Sequence, residues 1–341
     1  MTTMRLIAPF SILVLFSLLG TGYSQQRYYG SGLLENNLAD FTEPAEFKIF
    51  EDTTPYSLLS QDLNDLPDFD LVNYYQSQGG SGSSASGGSA AGAGAATDPS
   101  VPLTQLQFQN VFVPSTYDSS GYANKFIVQP VIPFHLNSEF IPYHIMRPTI
   151  PIIAPSADPD GSAGSQSGLG DTTFLDVFVH PMEAMKTNVG LGYVAILPTA
   201  THPQLGLREW QVGPAIFAVT KVIPKWNLGA VVQAPISTQS DAYAIQMQPI
   251  AVRMLQDEWY VGWGDMLWTL DNQNGHYNMP INARVGKVFA LGKHKLNIFV
   301  EPFYTPPGLR KGPADEWGVK LNVTFLFPEA KFGPLFGCGC R

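Results

Sequence analysis

From residue 101 onward, apolar and polar positions alternate again and again, in segments of about 10–14 residues separated by turn chemistry. "EWGVKLNVTFLF" is the clearest. Trp317, Val319, Leu321, Val323, Phe325 and Phe327 share one face of a strand, and Gly318, Lys320, Asn322 and Thr324 share the other. In "LTQLQFQN", Gln105, Gln107 and Gln109 oppose Leu106 and Phe108. "WNLGAVVQAPIS" puts Trp226, Leu228, Ala230, Val232, Ala234 and Ile236 together, with Val231 and Pro235 as exceptions. The pattern predicts twelve strands, near 103–114, 124–136, 143–155, 168–180, 187–198, 208–220, 226–237, 242–254, 258–270, 279–290, 294–304 and 316–327. The eighth and ninth are weaker. Their alternation slips at Ile250–Val252 and around Asp265–Trp268. No long helical segment intervenes, which argues against a parallel sheet with crossover helices.

Soluble strands average about five or six residues, and these are about twice that. A strand tilted across a bilayer needs about 9–11 residues, so the length has a physical cause. The predicted connections alternate as well: longer after strands 1, 3, 5, 9 and 11, shorter after the even strands, with a short one after strand 7 breaking the rule. Long loops on one side and short turns on the other characterise outer-membrane barrels. Aromatic residues stand at predicted strand ends, where rings favour the headgroup layer: Trp210, Trp226, Trp259, Trp268, Trp317 and Phe327. The expected fold is all-β, an antiparallel transmembrane β-barrel of about twelve strands.

Prolines recur inside the strands, as in "VQPVIPF" and "VEPFY". Pro130, Pro148, Pro214, Pro249 and Pro302 take the apolar parity, and Pro235 does not. Proline has no N–H to give to a ladder, so the expectation is a bulge or a weakened ladder position at each.

The chain before residue 101 changes the picture. "MTTMRLIAPFSILVLFSLLGTGYSQQ" has Arg5, an apolar run and small residues before Gln25, which reads as a cleaved secretory signal peptide over 1–24. Residues 25–76 form an acidic extension, and 77–100 a Gly/Ser/Ala-rich linker that cannot bury a core of its own. The barrel is expected over 101–328 and a tail over 329–341. The formal net charge of −9 resides in the extension and linker, while the barrel is nearly neutral. Nothing resembles the basic patch of a nucleic-acid binder. The two cysteines, Cys338 and Cys340, fall in the tail and make neither a disulfide framework nor a zinc site.

Catalytic constellations are missing. The six histidines are scattered, with no H-E-x-x-H and no G-x-S-x-G elbow, so the expectation is a non-enzyme without cofactor or metal. The inward charges say more. Folding the hairpin of strands 10 and 11 through "ALGKHK" places Arg284 almost opposite Glu301, both on the lumenal parity. Arg147 and Asp176 are further lumen-facing candidates. These four either shape a pore or form structural ion pairs that fill a narrow barrel.

"QPVIPF", "RPTIPI", "GLGDTTF", "VGLGYVAILPTATHPQLG" and "EWQVGPAIF", in that order, resemble the bacterial outer-membrane β-barrel family of the meta-pathway phenol-degradation protein type, often mislabelled "neuromedin U". The resemblance covers roughly residues 105–328. It implies an outer-membrane channel or transporter of a Gram-negative-type bacterium, for a small hydrophobic or aromatic solute. It also implies outer-membrane lipid and the barrel-assembly machinery as partners. A non-transporting structural or surface-binding barrel, and a secreted soluble β-protein, stay open beside it. The extension and linker lie outside the resemblance, as does the tail after Phe327.

Overall fold

The computed structural model describes residues 92–332, apart from 120, 155, 157–163, 273–274, 293, 329 and 331. The signal peptide, the acidic extension, most of the linker and both cysteines lie outside the described residues.

Twelve antiparallel strands close into one barrel. They are β1 (Thr104–Tyr117), β2 (Ala123–His135), β3 (Tyr143–Ile153), β4 (Gly168–Leu169 and Thr172–Met182), β5 (Thr187–Leu197) and β6 (Gln211–Thr220). The second half is β7 (Trp226–Gln233 and Ile236–Ser237), β8 (Ala244–Met254), β9 (Trp259–Trp263 and Trp268–Asp271), β10 (Tyr277–Asn278, Ile281–Asn282 and Arg284–Leu291), β11 (His294–Tyr304 and Arg310–Lys311) and β12 (Ala314–Phe327). Each strand pairs with its neighbours in sequence, and β12 closes on β1 from Thr104↔Phe327 to Tyr117↔Ala314. Closure removes the sheet edges that an open sheet would leave unpaired.

The two faces follow the sequence pattern. Leu191, Val285, Val300, Trp317 and Leu321 stand exposed on the outside, Leu191 at 65%. Inside, β12 presents Lys320, Asn322 and Thr324, all buried. A polar residue with an apolar neighbour on either side is what a wall between lipid and a polar lumen requires.

The loop asymmetry is only partly as expected. Two connections on one side are long, 154–167 and 198–210, and residues 305–309 loop out within β11 before the short turn 312–313. The connections after β1 (118–122) and β9 (272–276) are short. The opposite end carries the turns 136–142, 183–186, 221–225, 255–258 and 292–293. The ends are called here the long-loop end and the short-turn end.

The prolines do not bulge the wall as expected. Register runs unbroken through Leu106↔Pro130, Pro148↔Phe174, Tyr193↔Pro214 and Pro302↔Val319. In an antiparallel ladder each residue directs its N–H to one neighbour only. A proline therefore costs one bond, while its carbonyl still accepts. Ala234 N–H donates to Pro214 O at 2.9 Å, Ala244 to Pro235 at 3.1 Å and Ala283 to Pro302 at 3.2 Å. Pro130 and Pro148 fall opposite each other between Val128↔Ile150 and Ile132↔Met146, so two missing donors share one gap. Register does shift around Pro114, between Phe112 and Thr116, and across Pro249, between Met247↔Trp268 and Ala251↔Trp263.

A second correction concerns the linker. Its last residues, 92–100, are not a free spacer. They build the short helix α1 (Ala93–Ala96) and a turn that lie inside the barrel at the short-turn end. Asn227 Nδ2 donates to Gly94 O at 2.9 Å and to Thr97 Oγ1 at 3.0 Å, and Glu258 accepts from Ala93 N–H at 2.6 Å. Lys221 pairs with Asp98 at 2.7 Å, while Tyr143 Oη and Asn188 Nδ2 donate to Ser100 O and Oγ at 2.9 and 2.8 Å. Small residues cannot make a core among themselves, but here the lumen supplies it: Ala93 and Leu103 join Val177, Val179, Phe217, Val231 and Tyr260. Alanine favours the helix. A Cβ at Gly92 would come within 2.9 Å of the Glu258 carboxylate, which would have to move aside.

The tail leaves Phe327 and passes beneath β1. Thr104 Oγ1 donates to Ala330 O at 2.9 Å, and Phe332 O accepts from His135 N–H at 3.0 Å. Phe332 thus forms a parallel bridge to Phe134, where β2 extends past the start of β1.

Candidate pore and its constriction

The lumen holds two cavities stacked along the barrel. The upper, of about 540 Å³, faces the long-loop end, and the lower, of about 90 Å³, has residues 96–99 as its floor. Gln129, Arg147, Leu175, Gln248 and Asp265 line both and mark the waist between them.

The waist is built by an interruption in β9. After Trp263 the chain leaves the wall, turns inward over Gly264–Leu267, and rejoins at Trp268. Gly264 has φ +113° and lies against Pro249, where a Cβ would fall 1.6 Å from the carbonyl oxygen, so only glycine fits. The inward turn puts Asp265 in the middle of the lumen. Its carboxylate accepts from Lys320 Nζ and, at 3.1 Å, from Gln248 Nε2. Arg284 Nη1 stands 3.8 Å away. Asp265 N–H donates to Glu301 Oε1 at 3.2 Å, and Asn282 Nδ2 donates to the same oxygen.

Three of the four predicted lumen candidates are therefore found inside. Arg284 is 6% exposed and Glu301 fully buried. The two do not form a direct ion pair. Asp265 stands between the cations, and Glu301 takes Asn282 and the Asp265 backbone instead. Arg147 lines both cavities.

Asp176 is a correction. Leu175, Val177 and Val179 take the inward positions of β4, so Asp176 faces outward between Phe174 and Phe178. There His144 Nδ1 lies 2.7 Å from Asp176 Oδ1, and Tyr193 Oη donates to Oδ2 at 3.3 Å. The His144 ring is sandwiched by Phe134 and Phe178, with centroids 5.1 and 5.2 Å away. The cluster is polar but sealed by rings, which is how such a pair can sit on an apolar wall.

Above the waist, neutral amides are set among apolar side chains and a few charged ones, Lys125, Asp171 and Asp315. Gln109 Nε2 donates to Gln129 Oε1 at 2.9 Å, Gln129 Nε2 to Thr149 Oγ1 at 2.6 Å and Gln233 Nε2 to Gln246 Oε1 at 2.6 Å. Sequence reasoning missed Asp265 and Lys320 as constriction residues. The available signal was the slip of alternation around Asp265–Trp268, which marks where β9 leaves the wall.

The six aromatic candidates divide between the two ends. Trp226, Trp259 and Phe327 stand at the short-turn end, and Trp210, Trp268 and Trp317 at the long-loop end. Trp210, Trp259 and Trp317 are exposed. Lys287 Nζ sits 4.9 Å over the Trp259 ring and Arg253 5.9 Å over Trp226. Trp268 Nε1 donates to Pro280 O at 3.0 Å.

Among solved structures, the chain is similar to the COG4313 outer membrane channel from Pseudomonas putida F1. The TM-score is 0.50 at 17% identity, over 66% of this chain and 94% of that one. The fold is shared with an outer-membrane channel. A mutant of the Rh. blastica porin also aligns, over 66% of this chain and all of that one, but at 10% identity and a TM-score of 0.21. No family model and no curated protein matches the sequence.

Proposed function

We propose that the chain is an outer-membrane channel that passes a small solute through the barrel lumen. The observation that carries this reading is the lumen itself. A closed wall with an apolar outside encloses a chamber of about 540 Å³, lined by polar and apolar side chains alike, that narrows to a charged waist. A merely structural barrel of this width has no need to keep such a space.

Passage is blocked at two levels in this conformation, by the Asp265–Lys320 waist and by residues 92–103 below it. Solute transfer then requires the lower segment to shift, and its polar contacts to Lys221, Asn227 and Glu258 are ones that water can replace. The likeness to a channel at the level of fold supports this reading, and the phenol-degradation-type resemblance suggests a hydrophobic or aromatic solute. Val111, Val113, Ile127 and Leu267 in the upper chamber wall offer such a solute apolar contact. Outer-membrane lipid would contact the two aromatic bands. The barrel-assembly machinery would insert the chain after export through a cleaved signal peptide. The reading assigns no reaction chemistry to the protein.

The test is reconstitution of the purified chain in planar bilayers and in liposomes for swelling. Discrete conductance steps, increased by loosening the lower segment, are expected. Silence in both assays for the wild type and for the loosened Asp98→Ala/Asn227→Ala variant would instead favour the structural or surface-binding barrel.

A further inference from the structure

Two arginines at the waist, Arg284 buried and Arg147 half-buried, have unused hydrogen-bonding capacity. Arg147 and Arg284 both line the lower cavity, and the Nε of each is buried without a partner among the described residues. Arg284 is answered by Asp265 at 3.8 Å and by the faces of Phe299 and Tyr260 at 5.2 and 5.9 Å. Arg147 makes no hydrogen bond or ion pair with any described residue. A guanidinium away from bulk water is costly without a full counter-charge, and the carboxylate that attracts it, Asp265, is shared with Lys320 and Arg284. The local charge is also unbalanced: Arg147, Arg284 and Lys320 face the two carboxylates Asp265 and Glu301. One positive charge is left over.

We propose that the waist is a binding site for a carboxylate on a small solute, held by Arg147 with Arg284 beside it. A guanidinium presents two parallel donors that match a carboxylate bidentately. The lower cavity of about 90 Å³ admits a group of that size and little more. The rest of the solute must extend into the upper chamber. There Gln109 and Gln246 offer neutral hydrogen bonds, and Val111, Ile127 and Leu267 offer apolar contact. Lys125, Asp171 and Asp315 also line that chamber, so the waist selects for the carboxylate and leaves the far end of the solute free to vary. The site deepens the channel reading and rests on it for its role in passage.

The experiment titrates the full purified chain in detergent with sodium hexanoate, with its neutral isostere hexanamide and with sodium chloride, by calorimetry. The KCl conductance of the same preparation is recorded in bilayers. Saturable hexanoate binding is expected, with hexanamide about tenfold weaker or worse, as the loss of a charged hydrogen-bonding pair implies. Arg147→Gln should weaken hexanoate about tenfold while leaving hexanamide unchanged, and Arg147→Lys should restore part of the loss. Equal binding of hexanoate and hexanamide to the wild type overturns the site without any variant. Displacement of hexanoate by equimolar chloride overturns it in favour of a site for any small anion. Conductance without hexanoate binding removes this proposal and leaves the channel. Hexanoate binding without conductance keeps the site and removes the channel.

Discussion

The two halves of the lumen are built from the same twelve strands and behave oppositely. Toward the short-turn end the inward positions are Ile145, Val177, Val179, Phe217, Val219, Val231 and Val252, all buried and closed around residues 92–103. Toward the long-loop end the same strands turn to Thr149, Thr173, Gln211, Gln233 and Gln246, and the lumen opens into the upper chamber. The change occurs along single strands. β3 runs Ile145, Arg147, Thr149, and β8 runs Gln246, Gln248, Ile250, Val252. Strand alternation separates inside from outside. A slower gradient along each inward face separates a sealed half from a wet one. A barrel thus holds something like a globular core at one end and a solvated vestibule at the other.

The largest effect should come from breaking the sealed half. Phe217→Ala removes a ring from the apolar floor and should cost about 3–5 kcal/mol of stability. It should be read as a lower temperature of heat-modifiable gel mobility. A comparable truncation in the open half, such as Gln246→Ala, should cost far less, and equal losses would contradict the comparison. Next comes the seal itself. Asp98→Ala with Asn227→Ala removes the Lys221 ion pair and two hydrogen bonds to the lower segment. At about 1 kcal/mol per interaction, the open fraction in single-channel records should rise by one to two orders of magnitude, roughly. Unchanged gating would show that the lower segment is a fixed part of the wall.

Smaller effects sharpen the comparison. Asp176→Asn breaks the outward pair with His144 and should cost about 1–3 kcal/mol, with conductance and ion selectivity untouched. A change of selectivity would return Asp176 to the lumen. Asp265→Asn removes one of two carboxylates from the waist, leaving Lys320 and Arg284 less balanced. Reversal potentials in a KCl gradient should move toward anions by a few-fold in permeability ratio, consistent with one charge in a partly screened pore. A shift toward cations would refute the placement of Asp265 at the narrowest point.

The strand segments, their faces and their closure into a barrel were legible because lipid outside and a polar lumen inside impose a strict two-residue period. Arg284 and Glu301 were legible on the same ground, by parity. Asp176 was a lumen-facing candidate, but it shares its parity with Phe174 and Phe178 and faces outward. Its shelter depends on His144 of β3 and on rings from two strands, Phe134 of β2 and Phe178 of its own β4. The prolines were read only in part: the ladder is weakened opposite Pro130 and Pro148 and shifts across Pro249, but Pro214 and Pro302 leave the register unbroken. Whether a missing N–H disturbs a ladder depends on which neighbour it would have faced, and parity does not tell. Asp265 left only a local slip of alternation, since an inward turn breaks the period without announcing what it will meet.

The sequence alone determined the wall: twelve alternating segments, long enough to cross a bilayer, with the apolar set on one face. That followed from local covalent geometry, in which side chains of a strand must take turns. Only the tertiary structure decided what occupies the lumen. A Gly/Ala run became a seal because closure brought Lys221, Asn227 and Glu258 around it, although they lie more than a hundred residues away in the chain. Asp265 became the centre of the waist because β10, β11 and β12 deliver Arg284, Glu301 and Lys320 to the same height. Contacts across a lumen depend on strand tilt and register around the whole circumference, and no single segment encodes them.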